Sequence, residues 1–205
     1  MSALLEIRDL GFAWPGQPAL FEVLHLSVAP GVSLVTGDEQ RGKTTLLRLL
    51  AGELPLQQGR LFWRGEPVDT AAETWRRQVF WIHPQTDSHD QISASDWFAS
   101  LPARYPHFSR EALAGLVEGF GLEPHLAKPM FMLSTGSKRK VWLSAAFAAG
   151  APLTLIDQPF AALDGPAIRF LRELLQEAAE VPERAWVIAD FEAPADVPLA
   201  AEISL

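Results

Sequence analysis

The chain has 205 residues, a formal net charge of −8, an isoelectric point near 5.1 and no cysteine. The missing cysteines exclude disulfides and thiolate metal sites, and the acidic charge disfavours non-specific binding to nucleic acid. The longest apolar stretch, residues 141–156, is interrupted by Gly150 and Pro152 and falls short of the ~20 residues that a membrane span needs.

No secretory signal is predicted at the start of the chain, because charged residues directly follow the first five residues.

The first 85 residues contain mostly strand patterns. A turn is predicted at Pro15 and Gly16, and leucines from Leu46 onward recur at helical spacing until about Gly52. Strands are predicted at residues 4–10, 23–28, 32–35, 59–65 and 79–82.

The pattern becomes mostly helical between residues 83 and 150 and then returns to alternating strand and helix. Helices are predicted at residues 95–101, 110–120, 134–149 and 168–179, and strands at 153–156, 186–188 and 202–205. We therefore predict one α/β domain, with a core from residues 1–85 and 151–205 and a helical subdomain inserted at residues 86–150.

A phosphate-binding loop connects the third predicted strand to the first predicted helix. Residues 37–44 fit the pattern G-x-x-x-x-G-K-[ST], in which Gly37 and Gly42 permit a tight backbone. Backbone N–H groups and the helix dipole there point at a bound anion. We expect residues 37–45, including Thr45, to hold phosphates, with Lys43 reaching the β- and γ-phosphates and the Thr44 hydroxyl binding Mg²⁺.

Two later segments resemble the rest of a nucleotide site. Residues 153–157 form an apolar strand that ends in Asp157, where a carboxylate can hold Mg²⁺ through water. The alternative for Asp157 is an ordinary capping residue at the end of a strand. Ser134 is a candidate helix N-cap, and Gly136 permits close approach of an anion to the backbone. Taken alone, however, this segment is better explained as a bare helix start.

The order of these motifs resembles the nucleotide-binding subunits of ATP-binding cassette (ABC) transporters. Residues 37–44 are similar to the Walker A motif, residues 133–137 to the LSGGQ signature, residues 153–157 to Walker B, and residues 162–164, which end in Asp164, to the D-loop. Gln85 matches the Q-loop glutamine, and Trp14 matches the aromatic residue that stacks on adenine. Residues 105–108 and 138–140 are most similar to small exporter cassettes and to the haem-export subunit of cytochrome c maturation.

This resemblance implies a fold, ligands and partners. The implied fold is a P-loop NTPase (RecA-like) core with an antiparallel β subdomain and an inserted α-helical signature subdomain. The implied cofactors are ATP and Mg²⁺, with the metal held by Thr44, Gln85 and Asp157. The implied partners are a second ABC subunit, identical or different, whose Ser134 and Gly136 face the nucleotide, and an integral membrane transporter subunit. No nucleic-acid partner is expected.

A membrane partner implies that the chain is cytoplasmic and attaches peripherally to the cytoplasmic face of the inner membrane. Trp97, Phe98 and Tyr105 are candidates for the face that docks onto the membrane subunit. Packing in the core of the helical subdomain is the equally weighted alternative.

The catalytic positions depart from the family pattern at two points. Gln158 stands where the family has the glutamate that polarises the attacking water, and a neutral amide cannot act as a general base. No histidine follows the strand at residues 186–188, and either Ala189 or Asp190 takes the switch position. With Lys43 and Asp157 retained, we expect ATP binding with slow hydrolysis.

Three explanations for Gln158 are open at this stage: a naturally slow cassette, an engineered trap, or a heterodimer whose partner supplies the hydrolytic site. The alternative to a transporter subunit is a soluble ATP-switched clamp or a regulatory pseudo-ATPase.

Overall fold

The computed structural model describes residues 3–205, and Met1 and Ser2 lie outside the described residues. Its strands form two sheets, one antiparallel and one parallel. The strands are β1 (Leu5–Ala13), β2 (Ala19–Val28), β3 (Gly31–Thr36), β4 (Gln58–Trp63), β5 (Glu66–Val68), β6 (Val79–Phe80), β7 (Leu153–Asp157), β8 (Ala185–Ala189) and β9 (Leu199–Ser204).

The antiparallel sheet has the strand order β2-β1-β4-β5. It confirms the two strands predicted near the start of the chain, which the structure extends to Leu5–Ala13 and Ala19–Val28. The predicted strand at residues 59–65 becomes β4 and a tight turn, because Arg64 and Gly65 take φ angles of 52° and 84° before β5 begins. This sheet is the antiparallel β subdomain that the family resemblance implies.

The strand order of the parallel sheet determines where a ligand site can lie. Its strand order is β6-β7-β8-β3-β9, and every neighbouring pair is parallel. Parallel neighbours end at the same edge of a sheet, and in open α/β sheets ligands bind at that carboxyl edge. The loops after β3, β7 and β8 are therefore brought together, although the first is separated from the other two by more than a hundred residues in sequence.

The helices are α1 (Lys43–Leu50), α2 (Glu73–Arg76), α3 (Ala94–Ser100), α4 (Arg110–Gly119), α5 (Thr135–Ala148) and α6 (Gly165–Ala179). Three of them begin at serine N-caps, since Ser93, Ser109 and Ser134 each accept a hydrogen bond from a backbone N–H three residues later. Helices α3 to α5 lie within residues 86–150, the segment predicted as the insertion. None of the helices in residues 3–205 combines the length and apolar character needed to cross a bilayer.

Two apolar clusters hold the molecule together. One joins the inserted helices to α6 and one face of the parallel sheet, and the other packs α1 between that sheet and the antiparallel sheet. The predicted strand at residues 79–82 is shorter than expected, since only Val79 and Phe80 pair with β7. The last predicted strand is longer than expected and begins at Leu199.

The predicted docking residues Trp97, Phe98 and Tyr105 belong to the core instead. Their exposed fractions are 3%, 4% and 3%. The Trp97 ring meets the ring of Trp142 edge-on at 4.7 Å, and the Tyr105 hydroxyl donates to the carbonyl of Val79 at 3.2 Å. The docking prediction for these three residues was wrong, because aromatic side chains of the inserted helices are needed to fill the interior of a small subdomain.

Candidate nucleotide-binding site

A cavity of about 600 Å³ lies at the carboxyl edge of the parallel sheet. Its walls come from four separate parts of the chain: the segment after β1, the phosphate loop with the start of α1, the end of β7, and the residues after β8. The lining residues are Trp14, Gln17, Leu20, Glu39, Gln40, Arg41, Gly42, Lys43, Thr44, Thr45, Asp157, Gln158 and Phe191.

The backbone of the phosphate loop requires glycine where α1 begins. Gly42 is the N-cap residue of α1 and takes φ 98°, in the left-handed region. A Cβ at Gly42 would lie 2.8 Å from Cζ of Phe21, so a side chain there is blocked by packing as well as by the backbone angle. The loop therefore presents the free N–H groups at the start of α1 toward the cavity, where they can hold phosphate oxygens.

Lys43 is held at the bottom of this loop and is only 7% exposed. Its Nζ donates to the backbone carbonyls of Gly37 and Asp38, the latter at 3.0 Å. The same Nζ lies 4.3 Å from the centre of the Phe191 ring. Carbonyl dipoles and an aromatic face both stabilise a cation, so the ammonium group is fixed beside the loop. Asp38 and Glu39 are exposed, and Glu39 also lines the cavity.

Thr44 and Asp157 meet directly across the cavity. The Thr44 hydroxyl donates to Oδ2 of Asp157 at 2.6 Å, and Asp157 is 6% exposed at the end of β7. These hard oxygens fit Mg²⁺, which proteins usually bind with one or two side-chain oxygens together with phosphate oxygens and water. Among residues 3–205 no cluster of three His, Asp or Glu side chains forms a metal site by itself. Thr44 and Asp157 would therefore hold Mg²⁺ together with a bound phosphate chain.

A buried arginine fixes the strand end that carries Asp157. Nη1 of Arg139, on α5, donates to the backbone carbonyl of Asp157 at 2.7 Å. Burial lowers the pKa of Arg139, while the charges of Asp157 and Asp190 act in the opposite direction. The guanidinium thus connects the helix that follows the signature motif to the Walker B strand.

Trp14 forms the outer wall of the cavity, and its backbone is anchored. The side-chain amide of Gln57 bonds both the N–H and the carbonyl of Ala13, at 3.0 and 2.9 Å. The Trp14 ring meets the ring of Phe12 edge-on at 5.2 Å, and Trp14 remains partly exposed. Its position suits stacking on a flat base, as the family resemblance implies.

Gln158 follows Asp157 in an unusual backbone conformation. Its φ is 47°, and its N–H donates to the carbonyl of Ala189 at 2.7 Å. A left-handed conformation costs a non-glycine residue of order 1 kcal/mol, and here the pairing of neighbouring strand ends enforces it. The amide side chain lines the cavity, where it can orient water by hydrogen bonding but cannot remove a proton.

Asp190 and Phe191 directly follow β8, and the assignment of the switch position to Ala189 or Asp190 stays a prediction. The N–H of Asp190 donates to the Val35 carbonyl at 3.1 Å, which places Asp190 at the start of the phosphate loop. Burial is the main cause that raises the pKa of Asp190, and the charge of Asp157 raises it further. The N–H of Phe191 and the charges of Lys43 and Arg139 oppose this rise.

Phe191 was missed by the sequence analysis. It is 48% exposed, yet its ring covers Lys43. In the sequence, only its position three residues after the strand at residues 186–188 pointed to the site. The prediction for that position considered only Ala189 and Asp190.

Five candidate residues do not line the cavity: Gly37 at the start of the phosphate loop, Gln85, Ser134, Gly136 and Asp164. Gln85 is exposed in a turn, where its N–H donates to Nδ1 of His83 at 3.3 Å. His83 itself packs edge-on against Trp81 at 6.2 Å. The structure therefore does not bring Gln85 to Thr44 and Asp157, and its role as a metal ligand stays a prediction.

Ser134, Gly136 and Asp164 form a second group near the start of α5. The Ser134 side chain caps α5 by accepting from the N–H of Ser137 at 3.1 Å. A Cβ at Gly136 would lie 2.5 Å from the carbonyl of Ala162, so this glycine lets α5 approach the D-loop segment.

Asp164 caps α6 and forms an ion pair with Lys140 of α5. Its Oδ1 accepts from the Ala167 N–H at 2.9 Å, and its Oδ2 accepts from Nζ of Lys140 at 2.6 Å. The hydrogen bond from Lys140, followed by that from Ala167, lowers the pKa of Asp164. These contacts explain Asp164 as a structural residue of this chain, and its contact with nucleotide stays a prediction.

The comparisons with known proteins agree with this geometry. The sequence profile of the ABC transporter family matches residues 22–161, more than half of the chain. The chain belongs to the ABC transporter family. It is an ATP-binding subunit of that family, as the ordered motifs predicted.

Individual relatives support the same assignment. The chain is 33% identical over 161 residues to the cytochrome c biogenesis ATP-binding export protein CcmA of Hahella chejuensis, covering 78% of this chain and 76% of the relative. The predicted similarity to export cassettes of cytochrome c maturation is thereby confirmed.

Solved structures share the fold. A putative ABC transporter ATP-binding protein of Pyrococcus furiosus aligns with a TM-score of 0.79 at 22% identity, over 98% of this chain and 96% of that one. An ATP-binding subunit of an ABC transporter aligns with a TM-score of 0.80 at 25% identity, over 92% of this chain and 79% of that one. The predicted fold class is confirmed.

Proposed function

We propose that this chain binds MgATP, closes around it with a second cassette, and drives a conformational change in a membrane partner while hydrolysing ATP slowly. The observation that carries the proposal is the contrast within one cavity. Residues of the phosphate loop, among them Lys43 and Thr44, line this cavity together with Asp157 and supply groups for binding. Gln158 and Asp190 stand at the two positions that hydrolysis needs.

Binding follows from the groups that converge on the cavity. The N–H groups at the start of α1 and the Lys43 ammonium supply positive charge for the phosphates, and Trp14 supplies a flat surface for the base. Thr44 and Asp157 would hold Mg²⁺, and the metal would neutralise charge on the β- and γ-phosphates. Gln85 completes this ligand set in our proposal, which requires its turn to move toward Asp157.

Slow hydrolysis follows from the side of the cavity where water would attack. In-line attack on the γ-phosphate needs a group that orients water and accepts its proton. Gln158 can orient the water but cannot accept the proton. The Asp190 carboxyl, unlike a histidine, adds no positive hydrogen-bond donor near the γ-phosphate, and its charged form repels that phosphate.

A second cassette is proposed because the signature residues lie away from the chain's own cavity. Ser134 is exposed, and Gly136 is partly exposed beside the D-loop. In a head-to-tail pair, these residues of one subunit can face the phosphates in the other. If the two subunits are identical, the arrangement has twofold symmetry. Asp164 then lies next to the shared interface.

Export across a membrane is proposed because the relative from Hahella chejuensis is an ATP-binding export protein of cytochrome c biogenesis. On this proposal the chain works at the cytoplasmic face of the inner membrane, attached through an integral membrane subunit. The second candidate function is an ATP-switched clamp that works without a membrane subunit, and the slow site formed by Gln158 and Asp190 favours it.

The test uses the tagged full-length chain in its native organism. We expect the chain to fractionate with membranes, to leave them in an alkaline carbonate wash, and to co-purify with an integral membrane protein in mild detergent. Recovery of the whole native complex from the soluble fraction would overturn the transporter proposal and support the clamp.

The closed pair is tested with purified protein by light scattering during gel filtration. We expect dimers with MgATP and monomers with MgADP. Ser134→Ala should weaken the dimer while monomeric ATP binding is kept, since Ser134 serves the other subunit's nucleotide. Equal dimerisation of Ser134→Ala and the unchanged chain would contradict the head-to-tail arrangement.

A further inference from the structure

A second cavity, of about 440 Å³, opens between the inserted helices and the core. Its size falls within the range of small-molecule sites, about 300–1,000 Å³. Helices α4 and α5 form one wall, and α6 with the start of β8 forms the other. Its lining includes Gly115, Phe147, Phe170, Leu174, Arg184 and Trp186.

This cavity is remote from the nucleotide site. Arg184 directly precedes β8, whereas Asp190 directly follows it. The five residues of β8 separate the two ends by about 16 Å, at 3.3 Å per residue. The second cavity therefore lies toward the amino edge of the parallel sheet and shares no lining residue with the nucleotide cavity.

The wall of the cavity contains a guanidinium group with few partners. Arg184 Nε donates to the Ala151 carbonyl at 2.9 Å, while its Nη2 is enclosed and makes no hydrogen bond. Within residues 3–205 no carboxylate forms an ion pair with Arg184. Burial lowers the pKa of Arg184, but an arginine stays protonated in proteins. The cavity wall therefore carries an uncompensated positive charge.

Aromatic and aliphatic side chains surround this charge. The Trp186 ring stacks on Phe147 with centroids 4.5 Å apart, and the Arg184 guanidinium lies 4.9 Å from the Trp186 ring. The indole N–H of Trp186 is also enclosed without a hydrogen-bond acceptor. Glu177 lies at the exposed rim and is the only acidic residue of the lining.

We propose that this cavity is a binding site for a small carboxylate with an apolar chain. A carboxylate in the cavity pairs with the charge of the Arg184 guanidinium, which takes part in no ion pair within residues 3–205, and this offsets the cost of burying that charge. The apolar chain replaces water along Phe170 and Leu174. Because the walls belong to both the inserted helices and the core, such a ligand stabilises their relative position. This site does not depend on the proposed ATP function.

The proposal is tested by titrating the full-length chain with octanoate below its micellar concentration, using isothermal calorimetry. Octanol, which has the same chain without the charge, is the matched ligand control. We expect octanoate to bind at least about tenfold more tightly than octanol, as expected for a charge-assisted hydrogen bond. No detectable octanoate binding, or equal binding of the two ligands, would overturn the proposal.

Two variants locate the site. Arg184→Met should weaken octanoate binding about tenfold or more, whereas Arg60→Met, a change of the same kind at an exposed position on β4, should leave it unchanged. Gly115→Leu fills the cavity from α4 without touching Arg184, and a Cβ there meets no atom within 4 Å, so this variant should fold. Octanoate binding that survives Gly115→Leu would place the ligand elsewhere and overturn the proposal, even if Arg184→Met proved unstable.

Discussion

The two halves of the nucleotide cavity differ in how closely they follow the ABC family. The half built on β3 and α1 retains each residue that phosphate binding requires, and Gly42 and Lys43 are fixed by packing and by hydrogen bonds. The half built on the ends of β7 and β8 carries Gln158, Asp190 and Phe191 instead of the family's acid and histidine. We therefore expect ATP binding and ATP hydrolysis to be separable properties of this cavity.

The difference also has a mechanical side. We call the half built on β3 and α1 the binding half, and the half built on the ends of β7 and β8 the hydrolytic half. A 2.6 Å hydrogen bond from Thr44 to Asp157 joins them, and a hydrogen bond from Arg139 connects Asp157 to α5. In our proposal these contacts connect a bound nucleotide to the helical subdomain. Position 158 carries an amide, which cannot accept a proton. We expect a cassette of this kind to respond to ATP binding more than to ATP turnover.

The largest expected effect comes from restoring the acid. Gln158→Glu should raise steady-state ATPase turnover by about a hundredfold, the low end of what a positioned general base contributes. ATP affinity should change little, because the phosphate loop is untouched. Turnover is measured by phosphate release at saturating MgATP, with Gln158→Ala as the control that must not gain activity. An unchanged rate in Gln158→Glu would show that Asp190, rather than Gln158, limits hydrolysis.

The second effect tests the binding half. Lys43→Ala should weaken ATP binding by at least about tenfold, because the charge-assisted contact to the phosphates is lost. The measurement is calorimetric titration with MgATP. Lys128→Ala changes an exposed lysine outside the cavity and should bind as the unchanged chain does. Equal affinity of Lys43→Ala and the unchanged chain would refute the site.

Asp190→Asn removes the negative charge at position 190, next to the end of β8. It should raise ATP affinity about fivefold at neutral pH, because a negative charge near the phosphates repels them. The gain for ADP should be smaller, since ADP lacks the γ-phosphate. Parallel titrations with both nucleotides give the ratio, and an equal gain for the two would contradict the placement of Asp190 near the γ-phosphate.

The same variant has a predicted pH dependence of stability. Folding raises the pKa of Asp190, so the native state binds a proton more tightly than the unfolded state and loses stability as pH rises from the unfolded value of 3.8 through the folded value. Asp190→Asn removes this loss. Its melting temperature should exceed that of the unchanged chain more at pH 7 than at pH 4, and the opposite order would contradict the burial argument.

The smallest effect concerns the ring over Lys43. Phe191→Ala should tighten ATP binding about threefold, because a partly exposed cation–π contact contributes about 0.5–1 kcal/mol and competes with phosphate for the ammonium. Phe131→Ala is the matched control, since Phe131 is 57% exposed and lies outside the cavity. Weaker ATP binding by Phe191→Ala would mean that the ring adds to the nucleotide site instead of competing for Lys43.

Local sequence determined the binding half because its chemistry is contiguous. A strand, a glycine loop and a helix start follow one another within residues 31–50, so the pattern of Gly42, Lys43 and Thr44 was sufficient to predict the loop. The end of β7 with Asp157 was predictable for the same reason. The departure at Gln158 was also visible in sequence, since it directly follows that strand.

Only the tertiary structure decided what depends on strand order and packing. The arrangement β7-β8-β3 places Phe191 against Lys43, 148 positions earlier in the chain, and no local pattern contains that contact. The burial of Trp97 and Tyr105 likewise depends on which helix faces are covered after folding. Backbone geometry is set by neighbours in sequence, whereas the surroundings of a side chain are set by whichever distant segment packs against it.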